Sequence, residues 1–281
     1  MDLKQLKQLW RDEGFRPKKR LGQNFLIDKN VRDNILKEIP LTGKSVVVEI
    51  GAGFGVMSFT LADMCERLIA VEKDKKVCEI MTPLLESKGN VEVICDDILN
   101  VDLSSLTKGS GRVIVFGNIP YYISTPVIIR MIEQRECIDS VYIVIQEELA
   151  DRIVSPPGSK IYGSISCFIQ FYTKPEKLIR IKKNSFYPRP QVDSSLLKLE
   201  MLKKPSVSVK DKDLMFKIIR TAFSERRKKA INPLSGGKFP GFQREEWKRI
   251  FEECGIDPSS RAETLSLADY ARLTDIIYNN K

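Results

Sequence analysis

Apolar positions along the chain fall into two alternating rhythms. Short runs rich in valine and isoleucine recur at 45–50, 68–72, 91–95, 113–117 and 141–146. Predominantly apolar runs of this length suit strands covered on both faces, as in a parallel sheet. Between them lie stretches with helical spacing, at 56–66, from 74 onward, at 124–134 and at 147–154. Alternation of strand and helix predicts an α/β fold with a doubly wound, mostly parallel sheet. Residues 178–181 and 194–201 predict a late antiparallel pair, and the apolar segment 165–172 a further helix. Near the start, Leu3, Leu6 and Leu9 share one helical face, and Asp28 can cap a helix through Glu38, with Pro40 beyond its end. After Lys203-Lys204-Pro205-Ser206 the composition shifts, and 213–223, 244–254 and 268–278 all have helical periodicity. The expected organisation is a basic N-terminal arm with helices over 1–44, a sheet domain over 45–204 and a small helical domain over 205–281.

Composition narrows the chemistry. The 281 residues include no histidine, which removes imidazole bases, Ser-His-Asp catalysis and His-ligated zinc. The six cysteines (65, 78, 95, 137, 167 and 254) form no C-x-x-C pair, so no metal site is expected and the thiols are expected to be reduced and mostly buried. No apolar run is long enough to span a membrane, and the opening residues lack the apolar core of a signal peptide, so a cytoplasmic protein is expected. The net charge of +9 is unevenly spread: +5 over 1–44, zero over 45–205 and +4 over 206–281. A neutral centre between two basic ends suggests a polyanion gripped by the flanks.

The candidate chemistry lies at the ends of the predicted strands. Glu49-Ile50-Gly51-Ala52-Gly53-Phe54-Gly55 follows the first strand and opens a helix. Glycines there permit a tight turn and close approach to a ligand. A dinucleotide fingerprint needs glycine where this chain has Val56, so the loop fits S-adenosylmethionine better than NAD. Glu72 ends the second strand, placed to accept both hydroxyls of a ribose, and Asp97 follows the third, placed to accept an adenine amine.

The fourth strand runs into Asn118-Ile119-Pro120-Tyr121. The N6 amine of adenine is a poor nucleophile because its lone pair is delocalised into the ring. The Asn118 side-chain oxygen and a backbone carbonyl, that of Ile119, can accept its two N–H groups and localise the lone pair. Pro120 stiffens the turn, and Tyr121 can stack on the base.

Together with Gln23-Asn24-Phe25-Leu26, these elements occur in the order found in the ribosomal RNA adenine N6-dimethyltransferases, which the chain resembles along nearly its whole length. The resemblance continues through Gln146-Glu147, Asp151-Arg152, Pro157–Lys160, Tyr162-Gly163 and Phe186-Tyr187-Pro188-Arg189-Pro190-Gln191-Val192-Asp193-Ser194. Arg189 stands where the family usually has a third proline. The resemblance implies a Rossmann-like class I methyltransferase sheet, mostly parallel with one late antiparallel strand, and a small C-terminal helical domain. It implies S-adenosylmethionine contacts from Asn24, Leu26, Gly51, Glu72, Asp97 and Asn118, with Phe186 covering the face of the target adenine opposite Tyr121.

The tail carries Ala222–Leu234 with four consecutive cations, Arg226, Arg227, Lys228 and Lys229, and later Arg261–Ser266. Both segments resemble the small-subunit branch of the family better than the antibiotic-resistance branch that modifies large-subunit RNA. The implied activity is dimethylation of two adjacent adenosines in the 3′-terminal hairpin of 16S rRNA, within a partly assembled small ribosomal subunit, by a monomer. Arg20 and the four tail cations are the expected RNA contacts. A 23S rRNA dimethyltransferase, a non-catalytic RNA-binding assembly factor and an NAD-dependent oxidoreductase are the alternatives; Val56 and the missing histidine disfavour the last.

Overall fold

A computed structural model describes residues 3–18, 21–85, 87–238 and 242–280. Among the described residues the strands are β1 (Phe25–Leu26), β2 (Val46–Ile50), β3 (Arg67–Glu72), β4 (Val91–Cys95), β5 (Val113–Asn118), β6 (Ser140–Gln146), β7 (Thr173–Ile181), β8 (Phe186–Tyr187) and β9 (Ser194–Met201). Seven of them form one sheet in the order β4-β3-β2-β5-β6-β9-β7. The five from β2 to β6 run parallel, and β9 lies antiparallel to β6. Every residue of β2 is buried, Glu49 among its apolar neighbours included, as befits a central strand covered on both faces. From β2 the chain winds outward to β3 and β4, then returns to place β5 on the other side. Open α/β sheets bind ligands at such a reversal, outside the carboxyl ends of the strands.

The sequence patterns do not foresee the two-residue ribbon in which β1 pairs with β8, Phe25 opposite Tyr187 and Leu26 opposite Phe186. It ties the Asn24–Leu26 motif to the Phe186–Pro190 loop, some 160 residues apart in the chain. Leu26 and Phe186 enter the main core with Ile35, Leu36, Phe116 and Leu196. On the other side of the ribbon, Trp10 and Phe15 pack with Phe25, Phe54 and Tyr187. The first helix, Leu3–Asp12, is thereby set against the tip of the glycine loop through the Trp10–Phe54 contact, and the turn after it through Phe15–Phe54.

The chain forms two compact units, 1–150 with 175–201, and 151–174 with 202–281. This differs from the expected three-part division. The arm over 1–44 belongs with the sheet because Leu6, Trp10 and Phe15 are buried in its aromatic cluster. The helix Ser164–Tyr172 belongs with the helical unit because Phe168, Phe171 and Tyr172 surround Phe216 of the helix Lys212–Ala222, with ring centroids 5.2–6.1 Å apart. Helices Arg244–Glu253 and Leu267–Asn279 complete that unit around the fully buried Trp247 and Tyr270.

The cysteines need one correction. Cys65, Cys137, Cys167 and Cys254 are free, but Cys78 and Cys95 are joined as a disulfide, with their Cα atoms 6.0 Å apart. Parallel pairing of β3 with β4 sets Cys95 opposite Glu72, and the helix starting at Lys75 returns Cys78 to the same strand end.

Candidate active site at the carboxyl edge of the sheet

The cleft at the strand reversal is lined by residues 21–25 and by Gly51, Gly53, Glu72, Asp97, Asn118 and Tyr122, among others. Of the residues singled out in the sequence, Asn24, Gly51, Glu72, Asp97, Asn118 and Pro120 meet there. Each comes from a strand end or from the loop that roofs the cleft.

The glycine loop is shaped by positive φ angles at Gly51 (+70°), Gly53 (+58°) and Gly55 (+73°). These are conformations that only glycine adopts readily. At Gly53 a side chain would also strike the Phe25 ring, with Cβ 3.1 Å from it. The loop's amides turn inward. Gly51 and Ala52 N–H donate to the Val71 carbonyl, Gly53 N–H to a Glu72 carboxylate oxygen at 2.9 Å, and Gly55 N–H to the Ala52 carbonyl. Amides so engaged do not cradle a pyrophosphate, which needs N–H groups pointing at the ligand. The polar side chains lining the cleft, Tyr122 apart, are three carboxylates (Glu72, Asp96, Asp97), three amides (Gln23, Asn24, Asn118) and Lys73, whose charge is taken up by Asp97. They fit a nucleoside carrying hydroxyls, an amine and a positive charge, and they fit a dinucleotide poorly.

Glu72 accepts N–H groups from Gly53 and Asp74, so it holds the loop as well as facing the cleft. Burial raises its pKa, and those N–H bonds oppose the rise. Asp97 is paired with Lys73 at 2.6 Å and accepts the Leu99 N–H. Burial works against its charge, but these partners hold its pKa below the ordinary carboxylate range. Glu49 lies beneath, fully enclosed, and accepts the Ser58 hydroxyl at 2.5 Å. Burial pushes its pKa up to about 8, against the Ser58 bond.

Asn118 ends β5, and its amide Nδ2 donates to the Asn24 carbonyl at 2.8 Å. That bond takes one of the two Nδ2 hydrogens and fixes the orientation of the amide, which leaves the Oδ1 acceptor as its contribution to the cleft. Ile119 N–H donates to the Val144 carbonyl, which fixes the next peptide against β6. The Pro120 carbonyl is taken by the Ile123 amide and the Ser124 hydroxyl.

Other expected residues lie elsewhere. Leu26 is 5% exposed and packed in the core, so its side chain does not line the cleft. Ile119 is likewise a core side chain. Phe186 is only 3% exposed, because β8 turns its ring inward beside Leu26, and it presents no open face to a base in this structure. Tyr121 is half-buried with its hydroxyl bonded to Ser194 Oγ at 2.8 Å, while its neighbour Tyr122, 56% exposed, lines the cleft. In the helical unit, Arg226 donates to the carbonyls of Lys160 and Tyr162, both at 2.8 Å, and so works as an internal tie. Lys228 pairs with Glu225, whereas Arg227 and Lys229 are exposed. Arg20 lies outside the described residues.

Two further features of the site are not foreseen by the sequence patterns. Asp74 is buried and receives the Lys18 ammonium at 2.8 Å and the Gln23 amide at 3.0 Å, while Lys18 N–H donates to Gln23. This knot fastens the roof loop to the end of β3. Although burial opposes its charge, Lys18 and Gln23 keep the Asp74 pKa low. An acid two residues beyond Glu72 was the available signal. Gly117 is the second. A Cβ there would lie 2.6 Å from Ile119 Cδ1 and 3.0 Å from Ile50 Cβ, so only glycine lets β5 carry Asn118 so close to β2.

The chain is similar to several known proteins. The sequence profile of the family "Ribosomal RNA adenine dimethylase" matches residues 14–279. A ribosomal RNA small subunit methyltransferase A from Pelotomaculum thermopropionicum is 37% identical over 280 residues, covering 96% of this chain and 94% of the relative. Its namesake from Alkaliphilus metalliredigens is 38% identical over 263 residues, covering 92% and 91%. Among solved structures, a dimethyladenosine transferase from Plasmodium falciparum superposes with a TM-score of 0.76 at 21% identity, over 90% of this chain and 96% of that one. The 23S rRNA methyltransferase ErmE gives 0.70 at 20% identity, over 89% and 98%. At those identities the two structures speak for the fold alone.

Proposed function

This chain belongs to the ribosomal RNA adenine dimethylase family, and from that premise we propose that it dimethylates N6 of two adjacent adenosines in the 3′-terminal hairpin of 16S rRNA, using S-adenosylmethionine, during assembly of the small ribosomal subunit. When bound, S-adenosylmethionine supplies an electrophilic methyl group. Glu72 would hold its ribose hydroxyls, Asp97 its adenine amine, and the glycine loop its amino-acid end.

The observation that carries the reading is the fixed amide of Asn118. With Nδ2 committed to Asn24, Oδ1 is presented as an acceptor for one N–H of the target amine. A backbone carbonyl of the same turn, that of Ile119, takes the other. Accepting both hydrogens draws the nitrogen towards a pyramidal shape, in which its lone pair is available for attack. The nitrogen loses a proton readily once alkylated, so no strong base is needed, in keeping with a chain that has no histidine. Catalysis then consists mainly of positioning. The splayed-out adenine is held by stacking, worth roughly 1–3 kcal/mol per base. Tyr122 already lines the cleft and Tyr121 stands beside it; Phe186 joins them only if the 186–190 loop moves. Arg227 and Lys229, with Arg20, are the proposed phosphate contacts.

The small-subunit assignment is supported by relatives of that name matching nearly end to end. The test is incubation with labelled S-adenosylmethionine and separate small and large ribosomal subunits, both lacking the modification. Label in 16S rRNA alone is expected. Label confined to 23S rRNA would reject the assignment and keep the chemistry; label in neither would reject both.

A further inference from the structure

Beside the cofactor cleft lies a larger cavity of about 990 Å³. It shares Gly22, Gln23 and Asn24 with the cleft as a common wall. Its other sides come from the first helix, the 14–17 turn and the loop after β8. Four cations line it, Lys7, Arg11, Arg16 and Arg189, and no carboxylate does. All four are exposed, and among the described residues none is paired with an acid. Arg11 bonds only the neutral Gln8 amide oxygen, and Lys7 sits over the Tyr187 ring, 4.6 Å from its centroid. Trp10, 8% exposed, also lines the cavity, and its indole N–H has no acceptor among the described residues. Four unpaired charges converging on one concavity repel one another, an arrangement that an anion relieves.

We infer that this cavity seats the sugar–phosphate of the nucleotide next to the target adenosine on a single strand of RNA. The inference rests on the reading of the neighbouring cleft as an RNA adenine site and adds to it the place where the strand is gripped. Adjacency is the first reason. Asn24 faces both spaces and is bonded to Asn118, so a base at Asn118 leaves its neighbour at the cavity's shared wall. Charge is the second: a phosphodiester is an anion that arginine forks bind through paired N–H donors. Size is the third, because a space at the upper end of the usual 300–1,000 Å³ range admits a nucleotide. Arg189 gains a function here. It places a cation on the loop that closes the cavity. The site differs from the tail cations in gripping the strand beside the reacting base, so it sets which nucleotide is presented.

The test compares the wild type with a triple variant, Arg11→Gln, Arg16→Gln and Arg189→Gln. A control carrying Lys37→Gln, Lys44→Gln and Lys108→Gln removes the same charge from exposed positions that do not line the cavity. Binding of a fluorescently labelled 16S 3′-terminal hairpin is followed by anisotropy at several salt concentrations, alongside methylation kinetics on unmethylated small subunits. The triple variant is expected to bind the hairpin at least tenfold more weakly and to raise KM for the subunit with little change in kcat. Its log–log salt slope should fall by about two units, at ~0.7 for each of three lost contacts. Cofactor affinity should match the wild type, which also shows that the variant is folded. Wild-type RNA affinity and slope in the triple variant, or an equal loss in the control, would overturn the inference. A wild-type protein that binds the hairpin in this way but transfers no methyl group would instead reject the proposed reaction and leave the cavity's role standing.

Discussion

Three carboxylates within one strand-end cluster have different tasks because their surroundings differ. Asp97 has a cationic partner and stays charged. Glu72 has backbone N–H partners on one side and the cleft on the other. Replacing it by glutamine keeps the shape and removes charged hydrogen bonds, each worth about 1.5–3 kcal/mol. S-Adenosylmethionine affinity measured by calorimetry should fall at least tenfold; wild-type affinity would withdraw Glu72 from the ribose. Glu49 has only Ser58 and a dry environment, so it holds its proton up to about pH 8, against an ordinary value of 4.5. Between those values the folded chain binds a proton that the unfolded chain has released. Its contribution to stability is therefore complete below about pH 4.5 and is lost as pH rises towards 8. The loss amounts to at most about 1.4 kcal/mol per pH unit. Urea melts from pH 5 to 8 should show a decline that Glu49→Gln makes shallower. Parallel declines in the two proteins would mean that Glu49 is ionised throughout.

At the scale of elements, strand ends bring the chemistry together, and their spacing depends on side chains being absent as much as present. Gly117→Ala would push a methyl group into Ile119 and the Ile50 backbone. Overpacking of that kind costs typically about 1–3 kcal/mol. The melting temperature should fall, and turnover should fall further because Asn118 is the next residue; an unchanged melt and rate would show that β5 can shift freely. The tail gives the opposite lesson. Four consecutive cations resemble a uniform RNA patch in sequence, yet Arg226 is tied to two carbonyls and Lys228 to Glu225. Arg227→Gln with Lys229→Gln is thus the clean test of the tail. It should lower the salt slope of RNA binding by about 1.4 units if both touch phosphate, whereas Arg226→Gln should chiefly lower stability. An unchanged slope in the first variant would take the tail out of the RNA interface.

For the molecule as a whole, much was legible because it is written in local patterns. The buried strands, the turn glycines and the acids at strand ends are each set by a few neighbouring residues, and the order of elements predicts where they converge. What was not legible depends on distant pairing. The β1–β8 ribbon joins two dipeptides too short to show any period, and it is what buries Leu26 and Phe186. The Lys18–Asp74–Gln23 knot is likewise a contact between residues more than fifty apart. The helix Ser164–Tyr172 was expected, but its allegiance to the helical unit is decided by ring packing on Phe216.

The central claim is that one cleft divides its labour, with the cofactor held at the Glu72 end and the amine activated at the Asn118 end. Single-turnover methylation of unmethylated small subunits by Asn118→Ala, at saturating RNA and cofactor, tests it most directly when paired with calorimetry of cofactor binding. The account predicts a rate lower by about 10²-fold or more, the scale for removing one preorganised hydrogen-bonding group from a transition state, with cofactor affinity changed far less. A wild-type rate in the folded variant, or a loss of cofactor affinity that accounts for the whole loss of rate, would contradict it.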